Sequence, residues 1–590
     1  MIVPLPPSLH IRIATSFFVL LLVLAGCGFA REPVAPPQPV PPEEGVFILA
    51  NMFSSTVLEL KDGRFRYWFE SDMKLPSEPQ YPLAGKYSLT GDTITLNHPD
   101  IYQKQWTFRR FKGQVTLWRS GAIDFYEQKK QLDPWGILFK TNKPAEQAWA
   151  LRHGPPARKR NSPAQVEPKF RAMTIDDRIE LGCGVAVADV DGDGLPDILL
   201  ADRKRFVWYR NPGAKKSGEP GAWRKFVIAE NLTANDNACI AAADIDGDGK
   251  CEIAVGTGWN PGDMESSGGL FYLIPPADRT QLWEPVKLPA EPTVHRMRWI
   301  KVDYRPKAPA PDGAVPSQGK AVASKPTDGL LNELRQKWLL VVAPLHGQGN
   351  KNGDGAGSRI LFYEPPAPLN ERTAAWKTGV IADSMHETHG FHAIDGGSGR
   401  NITSGLHIAG REGVQHYSHR MDGAWFSRPR PEDHVGQAAG AGEVCGSHWH
   451  GLGFLATIEP MDGNRLMVYV ASRKPDGPTF EPGRLLTDRL VEGHALACDD
   501  LLDIGGDQIV VGWRGSPSLP EARVGIKLFT PLDANRREWR ETVIDDNTIA
   551  CEDLQLADLN GDGKLDIVAC GRATRNLKVY FNETASPAQP

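Results

Sequence analysis

Three short stretches of this chain carry oxygen side chains at spacings that suit a hard cation. They are Asp189, Asp191, Asp193 and Asp197; Asp244, Asp246, Asp248 and Glu252; and Asp558, Asn560, Asp562 and Asp566. In each, glycines at the fourth and sixth positions let the backbone turn sharply, and the carbonyl at the seventh can add a ligand. This is calcium chemistry, and it assigns about three structural Ca2+ sites. A helical calcium loop would place a glutamate at its twelfth position after an entering helix. Here the tenth position begins an apolar run at Ile198, Ile253 or Ile567, so each loop joins two strands.

The elements that carry these loops repeat from residue 168 onward. One further marker is a tryptophan followed by Val-Ile, at Trp223 with Ile228, Trp376 with Ile381 and Trp539 with Ile544. Another is an aromatic strand, ending at Tyr209, Tyr272, Tyr363, Phe529 and Phe581. The order in a unit is apolar strand, acidic loop, apolar strand, aromatic strand, Trp/Val strand. Four strands per unit make a propeller blade. First strands read near Gly184, Ala238, His295, His389, Phe454, His494 and Asp553, which gives an all-β, seven-bladed β-propeller over residues 168–583. Blades three to six have lost the full acidic loop; in blade six Asp500 and Asp503 remain, with Leu502 and Ile504 at ligand positions. The last blade lacks a fourth strand, which Phe170–Ile175 can supply, closing the ring and covering its edges.

That topology sorts side chains to two faces. First strands start on one face and end in the acidic loops on the other. The second strands return, so their exit loops share a face with the first-strand starts. His295, His389, His494 and Glu552 therefore gather at one mouth of the channel, with Asp236, Asn237 and Asp553. The second-strand exits add Trp259, Asn260, His346, Arg411, Arg473, Trp513, Arg514, Arg572 and Asn576. Histidines titrate near neutrality and serve as base, acid or metal ligand, so a second divalent metal at this mouth is one reading. Arginine forks and indole faces suit hydroxylated or carboxylated ligands. The bland reading of any one such histidine is a satisfied structural ring. The run His386, His389, His392 fits no zinc helix spacing, and His448 and His450 alternate on a strand.

The remaining chain reads as envelope hardware. Arg12 precedes an apolar run from Ile13 to Leu24, then Ala25, Gly26 and Cys27. This resembles a bacterial lipoprotein signal over residues 1–27, with Cys27 as the lipidated residue and the membrane as partner. Residues 28–45 form a Pro-rich tether, 46–130 a small antiparallel β-domain built of hairpins, and 131–167 a linker. Residues 306–329 have the composition of a disordered insertion. A net charge of −5 gives no electrostatic case for nucleic acid. Of the eight cysteines, Cys183, Cys239, Cys498 and Cys551 lie in apolar strand segments and read as small buried residues, not a disulfide framework.

The acidic loops followed by Ile/Val strands resemble the FG-GAP/VCBS repeat propellers. More narrowly, several stretches look like the propeller domain of the aldos-2-ulose dehydratases. They are Asn260–Asp263, Pro292–Met297, Pro344–His346, Gly493–Leu496 and Gly571–Lys578. Those dehydratases also carry cupin domains, which this sequence does not show. The resemblance implies a lyase that eliminates water from a keto- or anhydro-sugar. In that reading His295, His389 or His494 removes a proton beside a carbonyl, a cation or arginine holds the enolate oxygen, and a histidine or Glu552 protonates the leaving hydroxyl. A second reading is a non-catalytic module that binds a glycan or a protein at the mouth. A third is a lipid-anchored, calcium-stiffened scaffold. In all three the calcium is structural and remote from the mouth.

Overall fold

The computed structural model describes residues 38–39, 44–50, 54–71, 82–101, 104–111, 114–119, 122, 137–141, 162–304, 335–350, 355–367, 369–370, 375–394, 405–420, 423–427, 435–447, 453–474 and 477–585. The signal and Cys27, most of the tether and linker, the 306–329 insertion, and His448 and His450 lie outside the described residues. Among the described residues, no helix is long and apolar enough to cross a membrane. The chain divides into two compact units, the first within residues 1–158 and the second from 159 onward.

The first unit is a ring of antiparallel strands. Gly45–Ala50, Ser54–Lys61, Arg64–Ser71, Leu83–Thr90, Thr93–Asn97, Gln105–Phe111, Gln114–Arg119 and Ile137–Thr141 each pair with the next. The last pairs back with the first, which closes a small barrel. Gln38–Pro39 adds to one strand from outside. Asp62 and Gly63, at φ 52° and 70°, form the mirror-image turn that suits the twist of a two-residue hairpin. Phe47, Leu58, Leu60, Phe65, Ile94, Leu96, Phe108 and Leu117 fill the interior, so side chains occupy the barrel as they do in other small barrels.

The second unit is a seven-bladed propeller, each blade an antiparallel sheet built outward from the channel. The innermost strands are Gly184–Ala188, Cys239–Ala243, Val294–Tyr304, Thr388–Ile394, Glu443–Gly446, Gly493–Asp499 and Cys551–Ala557. Seven apolar clusters fill the seven blade interfaces, one each. Burying both faces of every blade is what lets short, Val/Ile-rich strands hold without a ladder between blades. Phe170–Asp176 pairs with Asn576–Asn582 as the outer strand of the last blade, so the two ends of the propeller chain close the ring.

Two readings of the sequence need correction. Phe454–Glu459 is the second strand of blade five, not the first; the first is Glu443–Gly446, only four residues long. The exit of the second strand is therefore the turn around Asp462, and Arg473 lies near the end of the third strand, Arg465–Lys474. Cys498 is not a lone buried thiol: it forms a disulfide with Cys445, with the Cα atoms 6.0 Å apart. Once Cys445 sits on an innermost strand, it faces the neighbouring innermost strand at bridging distance.

The acidic loops share one internal geometry. In each, the first Asp accepts the amides of both glycines: Gly192 and Gly194 on Asp189, Gly247 and Gly249 on Asp244, Gly561 and Gly563 on Asp558. All six glycines have φ between 72° and 85°, which only glycine adopts cheaply. The ninth-position acids Asp197, Glu252 and Asp566 each take the amide of the loop's second residue. Asp189, Asp191 and Asp197, and likewise Asp244, Asp246 and Asp248, bring carboxylate oxygens within 4.8 Å of one another, as calcium loops require. In blade six Asp500 still accepts two loop amides, those of Ile504 and Gly505, but Gln508 takes the Leu502 amide in place of an acid, and Leu501 and Leu502 are buried.

Candidate metal centre at the channel mouth

Four blades carry an irregularity at the same place. In blade three Val294 pairs with Pro344 and Arg296 with Ala343, leaving His295 as the extra residue. In blade six Gly493 pairs with Trp513 and Ala495 with Gly512, leaving His494. In blade seven Glu552 is left over between Cys551 and Asp553. In blade four the shift falls between Thr388 and Phe391, around His389. The innermost strands of blades one, two and five pair in unbroken register. A bulge re-aims one side chain, and here the bulges turn their extra residues toward one point. Thr293 and Glu492, two residues before His295 and His494, have left-handed backbone at φ 55° and 52°, which bulky side chains adopt only under constraint.

The result is three buried imidazoles in contact. Ring centroids lie 4.5 Å apart for His295 and His389, 4.7 Å for His389 and His494, and 6.4 Å for His295 and His494. One nitrogen from each lies within 4.8 Å of the other two, a separation that small side-chain rotations would close around a metal ion. Trp259 stacks on the outer ring at 4.9 Å from His295.

Partners fix which nitrogens are free. His494 Nδ1 donates to the carbonyl of Glu552 at 2.7 Å, since that oxygen can only accept. His389 Nδ1 donates to Glu443 Oε1 at 3.0 Å. Both Nε2 atoms face Asp462 Oδ1, at 3.5 Å from His389 and 3.7 Å from His494, and each is the nitrogen left to a metal ion when its ring is neutral. Imidazoles oriented in this way by a carboxylate or a carbonyl are the usual support of a metal ligand. Two buried atoms there, His295 Nδ1 and Asp462 Oδ1, have no hydrogen-bond partner, and such atoms could take a cation. Three nitrogens and one oxygen suit zinc or a similar divalent ion.

Electrostatics keeps two of the donors, His295 and His494, neutral. Burial, reinforced by His389, Arg296 and Arg514, holds His295 well below the ordinary imidazole range. Burial, then Arg514, His389 and Arg296, does the same for His494. Burial alone would raise the Glu443 carboxyl, yet Arg296 and His389 take it down to about 2. Arg296 Nη2 donates to Glu443 at 2.8 Å and lies 3.4 Å from His494 Nδ1, so Glu443 and Arg296 tie blades three, four, five and six together behind the histidines. Gly390 makes room for this: a Cβ there would meet Glu443 Oε2 at 2.2 Å.

Two cavities flank the cluster. One, of about 280 Å³, is lined by His346, Glu387, Arg411, Ala439, Gly440, Pro460 and Met461. It is tied to the cluster by chain neighbours, because Glu387 precedes His389 by two residues and Met461 adjoins Asp462. His346 hydrogen-bonds through its backbone with Thr293, two residues before His295. Its Nδ1 has no hydrogen-bond partner and lies 3.9 Å from Glu387, and burial lowers its titration below the ordinary range. The other cavity, of about 160 Å³, occupies the channel and includes Arg296, Arg298, Glu443 and Asp553 in its wall.

Several expected mouth residues have other engagements. Asn237 donates to the Asp202 carbonyl at 2.8 Å, and buried Trp513 to the Arg523 carbonyl at 2.6 Å. Exposed Asn260 accepts the Gly262 amide. The Glu552 carboxylate takes Arg514 at 3.2 Å and Arg572 at 2.9 Å, so it orients two guanidinium groups. Arg514 in turn reaches Asp462 Oδ2 at 3.2 Å. Glu443, Asp462 and Arg296 are absent from the sequence-based set. Arg296 adjoins His295 and could have been suspected; the other two were hidden by the misplaced strand of blade five.

Residues 189–255 match the FG-GAP-like repeat family. No curated protein matches the chain. A crystal structure of BBS1N in complex with ARL6DN, soaked with lead, is similar at TM-score 0.38 and 12% identity, covering 71% of this chain and 98% of that one. The mercury-soaked form of the same complex gives TM-score 0.37 and 13% identity over the same shares.

Proposed function

We propose that this seven-bladed propeller of FG-GAP-like repeats is a calcium-stabilised envelope lipoprotein whose mouth dehydrates a keto- or anhydro-sugar with the help of a divalent cation. The observation that carries the reading is the convergence of three buried imidazoles from three blades, with unpartnered ligand atoms on His295 and Asp462. His295, His389, His494 and Asp462 would hold the ion, which would supply Lewis acidity to a carbonyl oxygen.

The base then falls elsewhere than on the three histidines, whose lone pairs are committed. His346 is the better placed: neutral, unpartnered at Nδ1, and in the wall of the larger cavity beside Glu387 and Arg411. It takes the proton from the carbon next to the carbonyl, and the C–H electron pair becomes the enolate double bond. Return of that pair expels the β-hydroxyl, which receives the proton from the imidazolium and leaves as water. Arg411 offers donors to the sugar hydroxyls, and Trp259 an aromatic edge at the rim.

Incubating the protein with keto- and anhydro-sugars should give the ultraviolet absorbance of an unsaturated ketone. His346→Ala should lower kcat by about 10²–10⁴-fold with a small change in KM. A sugar that binds the wild-type protein with no absorbance would replace the lyase with the binding-module reading.

The anchor is supported by the Leu24–Cys27 stretch and by the Cys445–Cys498 disulfide, a bond typical of oxidising compartments. Labelled palmitate should be incorporated in cells, and Cys27→Ser should abolish it; label persisting in that variant would refute the anchor.

A further inference from the structure

The Cys445–Cys498 disulfide occupies a position that matters for the mouth. Blade five has the shortest innermost strand of the propeller, Glu443–Gly446, against five to eleven residues in the others. Its first residue is the carboxylate that holds His389 and Arg296. Neighbouring innermost strands share no hydrogen-bond ladder; between blades four and five the Gly390 amide donates to the Gly442 carbonyl at 2.8 Å, and side chains set the rest of the spacing. The disulfide joins this short strand, two residues beyond Glu443, to the strand of His494, four residues beyond that histidine. Among the described residues the other cysteines, Cys183, Cys239, Cys251, Cys551 and Cys570, are free and buried, and the one disulfide crosses between these two strands.

We infer that the Cys445–Cys498 disulfide is a positioning device for the mouth: it sets Glu443 against His389 and His494, so that the histidine cluster binds its cation tightly only in the oxidised protein. The inference rests on the metal-centre reading of that cluster. Glu443 must approach Gly390 without a Cβ in the way and reach two partners on different blades at 2.8 and 3.0 Å. A four-residue strand has little ladder of its own; the Gly390–Gly442 backbone bond ties its start to blade four, and the covalent bond supplies the constraint toward blade six. Reduction takes two electrons from a dithiol, which itself becomes a disulfide, and two protons, leaving Cys445 and Cys498 as thiols. The site would then mature only after the chain reaches an oxidising compartment.

The test is a double-mutant cycle on the full, calcium-loaded protein, read by the visible absorbance of bound cobalt(II). The Cys445→Ser/Cys498→Ser variant should bind cobalt at least tenfold more weakly than the wild type, and Glu443→Gln about 10–100-fold more weakly. With Glu443→Gln present, removing the disulfide should change affinity little further, because both changes act through one carboxylate. Additive losses would assign the disulfide to general stability and overturn the inference, as would unchanged affinity in the serine variant. If the serine variant fails to fold, wild-type protein reduced in calcium and freed of reductant serves in its place, with calcium content reporting an intact propeller. Oxidised wild-type protein that binds no cobalt would instead refute the metal centre itself.

Discussion

Replacing His389 with alanine should abolish binding of a transition-metal cation at the mouth while leaving the propeller folded. His389 is the central ring of the three, in contact with both others, and its Nε2 faces Asp462. Loss of one ligand from a site of this size should weaken binding by well over 100-fold, since second-layer partners alone are worth about 10–100-fold. The cost to the fold should be small, because the alanine leaves a space at the channel rather than within a blade interface. Isothermal titration with zinc or cobalt(II) and a thermal melt in calcium give the two readings. Tight binding that survives in the alanine variant would place the cation elsewhere.

Removing calcium should destabilise the propeller, and the size of the loss should depend on pH with a definite sign. Without an ion, burial followed by opposing backbone amides and like-charged neighbours leaves Asp197, Glu252 and Asp566 titrating at about 7. That is above the ordinary carboxylate range of an unfolded chain. Such groups support the ion-free fold fully below about pH 4 and withdraw that support as pH rises through 7. Each costs on the order of 3 kcal/mol when forced to ionise. With calcium bound, the same charges are neutralised in place, and protons compete less as pH rises. The gap in melting temperature between calcium and chelator should therefore be small near pH 5.5 and reach ~10 °C or more at pH 8. A gap that is flat or that shrinks with rising pH would contradict this account of the loops. Cobalt binding at the mouth should survive chelation of calcium as long as the propeller remains folded, because the acidic loops lie on the opposite face.

Much of this architecture was legible because the blade repeats its chemistry. The Asp/Gly loops, the aromatic third strand and the Trp/Val fourth strand each mark a place, and together they fix the number of blades. Closure by Phe170–Asp176 was legible for a similar reason: a blade short of one strand, and one unused strand at the start. Blade five was harder. Glu443–Gly446 is too short to show periodicity and is followed by no acidic loop, so in the sequence the longer apolar run at Phe454 reads as the inner strand. That single shift hid Glu443 and Asp462, put Arg473 at the mouth, and concealed the Cys445–Cys498 pair.

The histidine cluster itself was visible as a shared register, but its geometry was not. A bulge is a one-residue slip in pairing, and pairing leaves no mark in a single sequence. The bulges decide that His295, His389 and His494 converge, and partners that are distant in sequence decide which nitrogen of His389 and of His494 is free. Glu552 shows the converse. It shares the register and the bulge, yet two arginines occupy its carboxylate.

The most direct test of the central claim is X-ray absorption spectroscopy of the oxidised, calcium-loaded protein after one equivalent of zinc. The arrangement predicts a single zinc environment with three imidazole nitrogens at about 2.0–2.1 Å and oxygen completing the shell. The signal should lose one imidazole in a variant lacking His295 or His494. A zinc that shows only oxygen neighbours, or that fails to bind once the acidic loops are filled with calcium, would contradict it.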